Sequence, residues 1–217
     1  MQSLSELSKI FINTIANYNS NTWKIQIIFY LSGIVLTILI YKKPLDSVIR
    51  AMKLYLGICY LWISLVFFLR YGSSEFHKEL TAVYFGLISI LFFVDIFTNK
   101  ISLKRNRRYD KGVAAIYLLF FLYPAAGFML GRHFPEISMW LMPCPLTVFT
   151  IALITSFMTA KSTWIYILLL LWALPGLPKS FMFNIQEDLI LGLTGIFGII
   201  VLVLQHRRNT SVPINMS

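Results

Sequence analysis

Acidic residues, histidine and cysteine are all scarce in this chain. Its 217 residues hold 9 Asp and Glu against 19 Lys and Arg, with 3 His and 2 Cys. Two cysteines, Cys59 and Cys144, frame no disulfide scaffold. Three histidines are too few for a zinc hydrolase built on several intramembrane histidines. There is no glycine-rich phosphate loop, no His-Glu-x-x-His and no Gly-x-Ser-x-Gly, so nothing points to P-loop, zincin or α/β-hydrolase chemistry. Residues 189–205 contain no lysine, which excludes a retinal Schiff base in the last apolar segment. Charge of either sign is sparse: 13% of residues are charged, against roughly 25% in soluble domains.

What replaces charge is apolar surface. Hydrophobic residues make up 58% of the chain, and the mean hydropathy is +0.73. They fall in blocks near the length that crosses ~30 Å of hydrocarbon at ~1.5 Å per helical residue. The expected fold is all-α: a polytopic transmembrane helical bundle of about seven spans, in a single membrane domain over residues 1–217. The spans are placed at 22–41, 51–70, 79–97, 113–131, 142–160, 163–182 and 187–206. A re-entrant hairpin replacing the fifth and sixth keeps the same parity but would bury Lys161 at its tip, so seven spans are preferred. Residues 1–21 carry Leu4, Leu7, Phe11 and Ile15 at helical spacing and read as a short amphipathic helix, lying in the outer interface or packed on the bundle. No cleavable signal peptide is expected, since no small-residue cleavage site follows the first apolar block.

The net charge of +10 is read as topology and lipid contact rather than nucleic-acid binding. Thirteen of the nineteen basic residues fall on one side of the expected bundle, among them Lys42, Lys43 and the run from Lys100 to Lys111. That side is expected to be cytoplasmic, with the N-terminus outside and residues 207–217 as a cytoplasmic tail. The loop 100–111 is expected to anchor topology and meet anionic lipid headgroups or a protein partner. Asp95, near the inner end of the third span, either pairs with Lys100 or Lys104 or takes part in proton coupling.

Pro124, Pro143, Pro145, Pro175 and Pro178 gather at the outer half or outer mouth of spans four to six. Proline removes a helix hydrogen bond, and broken helices at membrane depth often line a solute or ion site. Pro143 and Pro145 suit the first turn of span five and fix Cys144 at a helix N-terminus, with Thr147 and Thr150 following. The same outer face holds His133, Glu187 and Asp188. The candidate ligand-binding residues are therefore His133, Cys144, Thr147, Glu187 and Asp188. The bland alternative is a set of prolines that only shape the bundle, a packed cysteine and two acids that complement a helix dipole. His133 and Cys144 alone are too few for zinc; His77, Glu75 and Glu79 would have to join them.

Three stretches, YNSNTWKIQIIFYLSG, YPAAGFMLGRHFPEISMWLMPCPLTVFT and IQEDL, resemble a family of uncharacterised bacterial multi-pass integral membrane proteins, a domain of unknown function with a Pro-Cys-Pro motif. Two departures stand out: Arg132 separates Gly131 from His133, and Leu146 interrupts the Pro-Cys-Pro-Thr run. The resemblance implies a bacterial membrane protein and no particular activity, substrate or cofactor. Three functions remain open. One is a membrane protein that binds or passes a small solute or ion at an outer pocket, as a transporter would. Another is a non-catalytic accessory protein that contacts its partner through the basic loop. The third is a redox or metal-dependent membrane enzyme using Cys144 and His133.

Overall fold

The structure, a computed structural model, describes residues 4–74, 77–98, 107–157, 163–182 and 185–210. Among these the chain is helical with no strand. The elements are α1 (Leu4–Lys42), α2 (Asp46–Trp62) running on as a π-helix (Ile63–Tyr71), α3 (Lys78–Thr98), α4 (Asp110–Met129), α5 (Pro143–Phe157), α6 (Thr163–Ala173), α7 (Gly176–Met182) and α8 (Leu189–Thr210). Short 3-10 turns precede α4 and α8. Among the described residues six helical stretches are long and apolar enough to cross a membrane, with α6 and α7 counted as one. The fifth expected span falls on α5, whose described part is the 15 residues Pro143–Phe157; residues 158–162 lie outside the described residues.

The bundle is apolar on its outer faces as well as in its core. α1 exposes Ile27, Ile28, Leu31 and Val35; α3 exposes Leu80, Val83, Ile90 and Phe97; α8 exposes Leu193, Ile196 and Ile200. Water-soluble monomers rarely show contiguous apolar faces of this extent. The interior also carries hydroxyls, which serve helix contacts where neighbouring lipid is as apolar as leucine. α5 is the centre of the bundle: every residue in it except Cys144 is buried. Its hydroxyls meet its neighbours. Tyr60 of α2 donates to Thr150 at 2.9 Å, Tyr41 of α1 lies 2.5 Å from Ser156, and Tyr166 of α6 lies 2.8 Å from Thr155.

The N-terminal segment is helical, and it continues into the first apolar run without a break. At ~1.5 Å per residue the 39 residues of α1 reach nearly twice the hydrocarbon thickness. The polar stretch around residues 17–22 stays helical because its side chains find partners. Asn21 and Thr22 bond back to the carbonyls of Asn17 and Tyr18. Asn19 Nδ2 donates to the carbonyls of Pro135 and Ile137 at 2.7 and 2.8 Å, and Tyr18 donates to that of Leu141 at 2.7 Å. The non-helical connection 130–142 is thus held against α1 from Tyr18 to Tyr30, whose ring stacks on Trp140 at 3.9 Å. Irregular backbone at membrane depth is stable only when protein groups satisfy it in this way.

Asp95 finds a partner other than the two considered from sequence: its carboxylate lies 2.8 Å from Lys53 Nζ on α2, with both side chains buried. Lys100, Lys104 and most of the basic loop lie outside the described residues, as does Glu75.

Candidate functional site

Three sequence-distant segments meet where α5 begins. The first is the end of α4. Gly131 adopts φ +82° there, its N–H bonds to Phe128 O, and Arg132 N–H reaches Gly127 O. This is a Schellman closure, in which glycine occupies the left-handed position without a Cβ penalty. It turns the chain so that Arg132 pairs with the fully buried side chain of Glu187. Gly127 lies beside that carboxylate: a Cβ placed there would be in ordinary contact with Glu187 Oε1, 3.4 Å away. Ser138 donates to the same oxygen at 3.1 Å. Burial pulls the Arg132 guanidinium down from its ordinary value, opposed by the charges of Asp188 and Glu136; arginine nonetheless stays charged.

The second segment is the start of α5 at Pro143. Proline lacks the N–H that a first helical turn leaves unused, so two prolines fit there, and Thr147 returns its hydroxyl to Pro143 O at 2.7 Å. Cys144 is the half-buried residue of this turn. The third segment is the 3-10 turn Gln186–Asp188 before α8. Its two acids point to different partners. While Glu187 takes Arg132 and Ser138, Asp188 accepts from Tyr123 Oη at 2.5 Å and from Cys144 Sγ at 3.4 Å.

Beside this cluster lies a cavity of about 280 Å³. Asp188, Cys144, Lys179 and His77 bring polar chemistry to it, and Phe11, Ile15, Phe67 and Met142 form apolar wall. Lys179 Nζ sits 4.2 Å from the centre of the Trp172 ring, also in the wall, a cation–π contact that holds the ammonium at the cavity. His77 enters the wall with a backbone φ of +48°, an uncommon conformation for a non-glycine residue.

Of the five residues singled out by sequence, Cys144 and Asp188 are in contact and line this cavity. Glu187 is adjacent but committed to Arg132 and Ser138. Thr147 is buried in α5. His133 is exposed, edge-on to Phe128 with ring centroids 5.2 Å apart. Tyr123, Lys179 and Trp172 were not among the five. Among the described residues no three His, Cys, Asp or Glu side chains gather into a metal-binding group.

Fold and site together define a helical bundle with lipid-like outer faces and a buried acid–thiol–phenol cluster at one end of its central helix. The chain belongs to DUF6064, a family of unknown function, whose family model matches residues 8–212. Comparison with curated proteins and with solved structures finds no match for it.

Proposed function

We propose that this chain is a multi-pass protein of a bacterial cell membrane that binds, and by its broken helices passes, a small organic anion entering from the outer face. The observation that carries the reading is the 280 Å³ cavity at the start of α5, where Lys179 and an apolar wall face one space. Its size is near the small end of ligand sites. Asp188 already accepts two hydrogen bonds, whereas the Lys179 ammonium is held by a ring face that leaves its N–H donors available to an anion. The N-terminus of α5 adds a favourable dipole for negative charge. The interruption between α6 and α7 at Leu174 and Pro175 resembles the discontinuous helices around transporter sites. Orientation follows the basic-residue bias, which puts this end outside.

The test uses purified protein in mild detergent and short-chain carboxylates against amines of matching length. Carboxylates should raise the unfolding temperature and slow maleimide labelling of Cys144, and Lys179→Gln should remove both effects. Equal protection by the amines, or none by either series, would contradict the reading.

A further inference from the structure

A second and larger cavity, about 530 Å³, lies on another side of the bundle between α1 and α4, with α5 as its floor. It is distinct in chemistry from the first. Tyr30, Thr37 and Tyr41 of α1 face Ala114, Tyr117 and Phe121 of α4 across it, and Leu146 and Phe149 of α5 close its back. The two helices bridge it at aromatic pairs near its two ends: Tyr30 with Phe121, and Tyr41 with Tyr117, ring centroids 6.2 Å apart in both. From Tyr30 to Tyr41 is eleven residues, so the groove is ~16 Å long at ~1.5 Å per residue. One leaflet is half of ~30 Å of hydrocarbon, or ~15 Å. The sides flanking it carry exposed Ile38, Leu118 and Leu122, and Ala114 in its wall is itself exposed, so it opens sideways.

The two ends differ in charge. At the Tyr41 end α1 finishes in Lys42 and the exposed Lys43, and the turn before α4 presents exposed Arg107 and Arg108, with Asp110 as the one acid in the lining. The Tyr30 end is closed by Trp140 and Leu141. An apolar slot one leaflet deep, open to the side and basic at one mouth, matches a molecule with one long apolar chain and an anionic head. The geometry points to a built binding site for an anionic phospholipid, with one acyl chain lying between α1 and α4 and the phosphate at Lys42 and Arg107. This rests on the membrane placement proposed above but not on the solute site. Basic residues at a membrane surface attract anionic lipid by ~1 kcal/mol each.

The experiment places the full chain in phosphatidylcholine nanodiscs doped with either phosphatidylglycerol or phosphatidylcholine brominated on the acyl chain. Trp140 lines the groove, and its fluorescence is isolated as the difference from Trp140→Phe. Brominated phosphatidylglycerol should quench it saturably, at a roughly thirtyfold lower mole fraction than brominated phosphatidylcholine, as two basic residues at ~1 kcal/mol each imply. Ala114→Phe, at an exposed position that tolerates bulk, should reduce quenching to the level expected from bulk lipid. The pair Lys42→Gln and Arg107→Gln should remove the headgroup preference and keep the chain-dependent quenching. Equal, non-saturating quenching by both lipids, or quenching unchanged in Ala114→Phe, would overturn the site. Absence of quenching together with a dimer in the nanodisc would overturn it in favour of a second copy filling the groove. A protein that fails to insert at all would sink the membrane placement, and is recognised by its absence from the nanodisc fraction.

Discussion

At the residue scale, several polar groups buried in this bundle are paired across helices. Lys53 and Asp95 are the sharpest case, because an ammonium and a carboxylate are both withdrawn from water. Removing one partner of such a pair leaves an uncompensated charge and typically costs ~3–5 kcal/mol, whereas replacing both by apolar groups is often neutral. Lys53→Met and Asp95→Leu should each lower the unfolding temperature in detergent sharply, and the double variant should recover most of the loss. Singles as stable as the parent would show that the pair carries no such load. The candidate site shows what a sequence can reveal at this scale. Cys144 and Asp188 stand out as a thiol and an acid near proline breaks, but their contact joins residues 44 apart. Neighbouring acids in one 3-10 turn face different partners. Spacing along the chain carries no record of either fact. Tyr123 and Lys179 lie within expected spans, and nothing in their positions along the chain says that one meets Asp188 and the other the Trp172 ring.

At the element scale, apolar length located the helices, and breaker residues located their ends less well. α3, α4 and α8 follow their hydrophobic runs closely, since lipid-facing helices leave a long uninterrupted signal. The first helix begins far earlier than its apolar run. Asn19, in the polar stretch before that run, is buried and hydrogen-bonds to the connection before α5. α7 and α8 approach closely through two glycines: a Cβ at Gly176 would lie 3.1 Å from Gly192 N, and one at Gly192 would lie 3.0 Å from Leu177 N. Backbone atoms cannot move aside as a side chain can. Gly192→Leu should therefore lift α7 off α8 and cost about 1–3 kcal/mol, read as a lower unfolding temperature. An unchanged midpoint would mean that the two helices do not pack this tightly.

At the scale of the whole molecule, apolar outer faces surround an apolar core that also carries hydroxyls paired between helices. α5 sits at the middle, and the irregular backbone before it is held against α1. That organisation puts Cys144, the half-buried residue of a buried helix, at the threshold of a cavity at one end of the bundle. The most direct test is labelling in intact cells, in a Cys59→Ser background, with a small membrane-impermeant thiol reagent. Cys144 should be modified from the outside, and less so from the cytoplasmic side in inverted vesicles. Modification only in inverted vesicles, or only after denaturation, would contradict an outward-opening site at the start of α5.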